Sequence, residues 1–93
     1  MDIGIFGSGY VGLVQAAVMA DVGHQVVCMD VDADRVARLK NGEVPFFEPG
    51  LERMIREAMD NDLLSFTGDA ASMITSCEFL FIAVGTPSDE DGS

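Results

Sequence analysis

The chain has no tryptophan, one tyrosine, one histidine, three prolines and two cysteines in 93 residues. Each scarcity excludes something. Two cysteines, Cys28 and Cys77, do not make a disulfide framework, which points to a reducing, cytoplasmic setting. No apolar run approaches the ~18 residues of a membrane span. No basic leader precedes an apolar core at the N-terminus, so no secretory signal is expected. Positive charge is also scarce: five Lys and Arg stand against sixteen acids, for a net charge of −11. Such a field repels nucleic acid and anionic membrane surfaces, so neither is an expected partner. An anionic ligand here must be held by local N–H groups and dipoles.

What is abundant is glycine, and its placement matters more than its count. A β-prone run, Ile3 to Phe6, leads into Gly7-x-Gly9-x-x-Gly12. A helix-compatible segment follows to Val22, then a second β-prone run, Gln25–Met29, ending on Asp30. A strand, glycine loop, helix and strand with a terminal acid form the layout of a dinucleotide-binding βαβ unit. Gly7 permits the tight turn, Gly9 lets backbone approach a pyrophosphate, and Gly12 lets the helix lie close on the sheet. The phosphates then meet the N–H groups and positive dipole end of that helix. A carboxylate at Asp30 suits both hydroxyls of an adenosine ribose and repels a 2′-phosphate, so NAD is favoured over NADP. Arg35 either offsets part of that repulsion or lies along the adenosine.

The remaining chain reads as further strand–helix alternation. The first strand is residues 2–6. The helix of Tyr10 to Val22 is apolar almost all round, as for a helix buried on more than one side. Gly23 ends it and His24 serves the turn, not catalysis. A helix from Ala33 to Lys40, capped by Asp32 or Asp30, stops at Asn41-Gly42. Pro49 opens another helix, with Leu51, Met54, Ile55, Ala58 and Met59 as its apolar stripe. Glu48 is read as a cap of that helix, in preference to a site carboxylate, and Phe46 and Phe47 as packing residues. Leu63–Thr67 is a third strand, Ala70–Thr75 a short helix, and Glu78–Val84 a central strand. Cys28 is a small buried hydrophobe, and nothing near Cys77 activates it as a nucleophile. If the strand order is 3-2-1-4, the loop Gly85–Ser88 neighbours the glycine loop, and Thr86 offers a hydroxyl and an N–H to the cofactor. The fold class expected is α/β, a Rossmann-type open, mainly parallel sheet with helices on both faces, present as its N-terminal portion.

Gly7-Ser8-Gly9-Tyr10-Val11-Gly12-Leu13, with Asp30, Pro45-x-x-Glu48-Pro49-Gly50-Leu51 and Val84-Gly85-Thr86-Pro87, resembles the amino-terminal part of the UDP-glucose/GDP-mannose dehydrogenase family. The resemblance covers essentially all 93 residues. It implies an NAD-dependent four-electron oxidation, taking a sugar C6 alcohol through the aldehyde level to a carboxylate with two NAD reduced. It also implies cofactor contacts at Tyr10, Val11, Asp30, Arg35 and Thr86, a nucleotide-sugar substrate, and a homo-oligomer at full length. The family's nucleophilic cysteine, catalytic lysine and assisting carboxylate lie downstream of its matching motifs, and neither Cys28 nor Cys77 fits that cysteine's motif. The chain is therefore expected to be the N-terminal part of a longer protein, with no catalytic residue of its own. Two other readings stay open: a hydroxyacid or 6-phosphogluconate-type dehydrogenase, and a non-enzymatic NAD-sensing module.

Overall fold

The computed structural model describes residues 2–45 and 48–83. Eight elements alternate along the chain: β1 (Asp2–Phe6), α1 (Tyr10–Val22), β2 (Gln25–Met29), α2 (Ala33–Lys40), α3 (Pro49–Asp60), β3 (Leu64–Thr67), α4 (Ala70–Ser76) and β4 (Phe79–Ile82). The four strands form one parallel sheet in the order β3-β2-β1-β4. That order puts the first two crossovers on one side and reverses direction between β1 and β4. The carboxyl ends of β1 and β4 flank the reversal, where open α/β sheets hold their ligands.

Strand alternation divides the apolar side chains between two faces. Ile3 and Ile5 of β1 stand in register with Val26 and Cys28 of β2, which in turn oppose Leu64 and Phe66 of β3. This row joins Leu13, Ala16, Ala17 and Ala20 of α1 and Leu51, Ile55 and Ala58 of α3 in one buried cluster. Ile5, Leu13, Leu39 and Ile55 lose essentially all contact with water, each stabilising the fold by roughly 1.5–3 kcal/mol. The other face begins at Gly4. A Cβ there would come within 2.8 Å of Leu80 and 2.9 Å of the buried Met73, so α4 lies close on the sheet. Helices therefore cover both faces.

Local signals account for the helix ends. Gly23 takes φ 114°, and its N–H and that of His24 close α1 on the carbonyls of Ala20 and Met19. His24 is thus a turn residue at the end of α1 remote from the strands' carboxyl ends. Asp32 caps α2 by accepting from the N–H groups of Asp34 and Arg35. Among the described residues no helix is long and apolar enough to cross a membrane, and no cluster of His, Cys, Asp and Glu could hold a metal.

Two expectations need correcting. α1 is buried on one side only among the described residues: Tyr10, Val11, Val18 and Val22 are exposed, because α3 and the sheet cover just the Leu13–Ala17–Ala20 stripe. β4 is an edge strand, not a central one, among the described residues, since it pairs with β1 alone, and its Phe79, Leu80 and Ile82 are exposed. Hydrophobicity reports that a face is built for burial, and it does not say which segment supplies the cover.

Candidate functional site

The glycine loop leaves β1 at its carboxyl end and is fastened there by the Gly7 N–H, which donates to the Met29 carbonyl at 2.7 Å. The three glycines of the loop stand in three different settings. Gly7 sits at φ 105°, in the left-handed region that other residues adopt at a cost. Gly12 faces the chain itself: a Cβ there would lie 2.0 Å from the Gly7 carbonyl oxygen. Gly9 has neither problem. Its backbone is extended (φ −70°, ψ −174°) and a Cβ would meet nothing within 4 Å. Among the described residues, then, nothing requires glycine at position 9.

Gly9 is also the N-cap of α1, with no side-chain cap and no acid in the first turn. The helix's first internal bond runs from Leu13 N–H to the Gly9 carbonyl at 2.9 Å. The preceding turn, which includes Val11 and Gly12, thus presents helix-end N–H groups and the positive end of the dipole. A Ser, Thr or Asp cap would occupy those donors. Among the described residues no side chain caps this helix end, which has the donor chemistry of a phosphate site.

Asp30 closes the other side. Its N–H donates to the Thr67 carbonyl at 3.1 Å, which anchors it between β2 and β3. Its Oδ2 accepts from the Ser8 N–H at 3.0 Å and the Ser8 hydroxyl at 2.5 Å, and its Oδ1 from the Asp32 N–H at 2.9 Å. Partial burial disfavours the charge. The Ser8 hydroxyl, the Asp32 and Ser8 amides and the Arg35 guanidinium together outweigh it and hold the carboxyl below its ordinary range. Arg35 reaches the loop as well, with Nη1 3.5 Å from the Ser8 carbonyl. The structure therefore brings Gly7, Gly9, Val11, Gly12, Asp30 and Arg35 to one crevice, with Tyr10 at its rim. Ala83, at the end of β4, lies beside Gly12 and donates to the Phe6 carbonyl at 2.8 Å. Gly85 and Thr86 lie outside the described residues, as do Phe46 and Phe47.

Two features escaped sequence reasoning. Glu48 occupies the N-cap position of α3, but its side chain makes no cap bond. It accepts from the Tyr10 hydroxyl at 2.7 Å instead, across 38 positions of sequence. That hydrogen bond, then the Glu48 charge, pushes the Tyr10 phenol up. Ser8 is the other: a loop position that the fingerprint leaves free holds the one fully buried polar side chain among the described residues. Cys28 lies under the loop, its thiol 3.6 Å from the Gly7 carbonyl. Burial, reinforced by the Asp30 charge, pushes that thiol up to about 12, so it is no nucleophile.

Residues 1–93 match the UDP-glucose/GDP-mannose dehydrogenase family, NAD binding domain. A UDP-glucose 6-dehydrogenase from Pseudomonas aeruginosa is 50% identical over 93 residues, all of this chain and 20% of that protein. A GDP-mannose dehydrogenase from the same species, solved as a ternary complex, superimposes with a TM-score of 0.92 at 38% identity, covering 100% of this chain and 21% of its own. A UDP-glucose dehydrogenase from the archaeon Pyrobaculum islandicum gives 0.87 at 41% identity, over 92% of this chain and 20% of its own. The chain spans about a fifth of the length of the relatives it matches.

Proposed function

Because the chain belongs to the UDP-glucose/GDP-mannose dehydrogenase family and matches its NAD binding domain from end to end, we propose that it is the N-terminal NAD-binding part of a UDP-glucose 6-dehydrogenase. The full-length protein then oxidises UDP-glucose to UDP-glucuronate with two NAD. In this reading residues 1–93 are one portion of the cofactor domain, and the catalytic and sugar-binding groups belong to the protein outside them. A homo-oligomeric, cytoplasmic enzyme accompanies the reading.

The observation that carries it is the space at Gly9 that no described residue fills, set between a helix end without a side-chain cap and an ionised Asp30. NAD, when bound, supplies the hydride acceptor. The residues here do the holding. The first turn of α1, at Tyr10 and Val11, receives the pyrophosphate; Asp30 accepts from the adenosine ribose; Arg35 lies along the same nucleoside. Thr86, with Gly85, is assigned to the neighbouring strand end on the family resemblance. A net charge of −11 makes these local donors the means of holding an anionic cofactor. Relatives act on different sugars, and the choice of UDP-glucose rests on the 50% identity to a UDP-glucose 6-dehydrogenase against 38% to a GDP-mannose dehydrogenase.

Assay of the full-length protein with NAD and either sugar nucleotide tests the proposal. UDP-glucose is expected to yield two NADH per sugar oxidised, with GDP-mannose turned over far more slowly. The reverse preference would assign the chain to the GDP-mannose branch. No NADH from either would remove both sugar assignments.

A further inference from the structure

Ser8 has a role that the glycine fingerprint does not assign. It is 1% exposed, so it presents no side-chain surface to a ligand. Its N–H and its hydroxyl both donate to the same oxygen, Asp30 Oδ2, at 3.0 and 2.5 Å. A carboxylate oxygen has two lone pairs in the plane of the group, and these two donors fill them. Asp32 N–H takes one of the two on Oδ1, at 2.9 Å. Arg35 completes the clamp by donating to the Ser8 carbonyl from 3.5 Å. Among the described residues, one acceptor position of Asp30 is left, and it is on Oδ1.

We propose that Ser8 is a positioning residue for the cofactor: by filling Oδ2 it fixes the Asp30 carboxylate so that Oδ1 alone takes an adenosine ribose hydroxyl. This rests on the ribose reading of Asp30 above and narrows it. The carboxylate was expected to accept from both ribose hydroxyls; with the Ser8 clamp in place it accepts from one. The clamp also couples the phosphate loop to the ribose acid, so that one serine sets the distance between the two ends of the adenosine diphosphate site. A hydrogen bond to an ionised carboxylate stabilises the charged form, so the clamp extends cofactor binding to lower pH.

The test is the pH profile of NAD affinity in the full-length protein, measured by calorimetry for wild type, Ser8→Ala and Asp30→Ala. The charged groups on the elements around Asp30 are Asp32 at the cap of α2, Asp34, Arg35, Arg38 and Lys40 of α2, and Asp69 beyond β3, with the Cys28 thiol below. All are retained in Ser8→Ala, so their titration cancels in the comparison. Ser8→Ala is expected to weaken NAD binding about three- to tenfold at neutral pH and to move the acid limb of the profile up by about one pH unit. A purely structural serine would change the melting temperature without moving that limb. An unmoved limb in Ser8→Ala, with Asp30→Ala binding NAD poorly, would overturn the role of Ser8 and leave the ribose reading standing. Normal NAD affinity in Asp30→Ala would overturn both.

Discussion

Asp30→Ala is expected to weaken NAD binding about ten- to a hundredfold, the worth of a hydrogen bond to a charged acceptor at a ligand hydroxyl. NADP affinity should hold or rise, because the same substitution removes the charge that repels a 2′-phosphate. The ratio of the two affinities, measured by titrating each cofactor into the full-length protein, should therefore collapse. The geometry adds a second consequence. Alanine at position 30 strips the acceptor from the buried Ser8 hydroxyl and N–H, and leaving buried donors unsatisfied costs about 1–3 kcal/mol. The variant should melt lower than wild type, and Asp30→Asn, which keeps an oxygen that can accept from these donors, should recover part of the loss. A ratio unchanged in both variants would refute the ribose assignment.

The second large effect is a contrast within the glycine loop. Gly12→Ala forces a methyl group to 2.0 Å from the Gly7 carbonyl oxygen. Backbone on both sides leaves nothing flexible to yield, so the loop must separate from α1 at a cost of about 2–4 kcal/mol. Thermal denaturation should show a clear fall in midpoint. Gly9→Val should do the opposite. Its backbone angles suit any residue and no atom of the described chain lies within 4 Å of the new Cβ, so stability should stay within about 1 kcal/mol, the scale of a changed N-cap. NAD affinity should nevertheless fall at least about tenfold, because the branched side chain fills the space the pyrophosphate needs. A Gly9→Val protein that is unstable, or that binds NAD normally, would contradict the division of roles between these glycines.

That contrast also shows where sequence was informative. Spacing alone located the loop and its acid, since Gly7, Gly9, Gly12 and Asp30 sit at separations set by the pitch of a helix and the length of a strand. Strand and helix boundaries followed from local chemistry: Asp32 as cap, Gly23 as stop, Pro49 as opener. The order β3-β2-β1-β4 was derivable from the general rule for doubly wound sheets. Sequence was silent on pairings between distant segments. Glu48 stands where a cap belongs, and local reasoning assigns it one, yet the Tyr10 hydroxyl 38 residues away claims the carboxylate. Ser8 offers no pattern at all: a serine in a turn is ordinarily solvated, and only the return of β2 beside β1 brings a carboxylate over it. The exposed apolar faces of α1 and β4 fail for a third reason, because residue type gives the demand for burial and not its source.

The space between the Gly7–Gly12 loop and Asp30 is proposed as the adenosine diphosphate half of an NAD site. The most direct measurement is a crystal structure of the full-length protein with NAD bound. The pyrophosphate is expected over Gly9 against the first turn of α1, and a single ribose hydroxyl on Asp30 Oδ1 while Ser8 keeps Oδ2. NAD bound elsewhere on the protein, or with its adenosine turned away from Asp30, would contradict it.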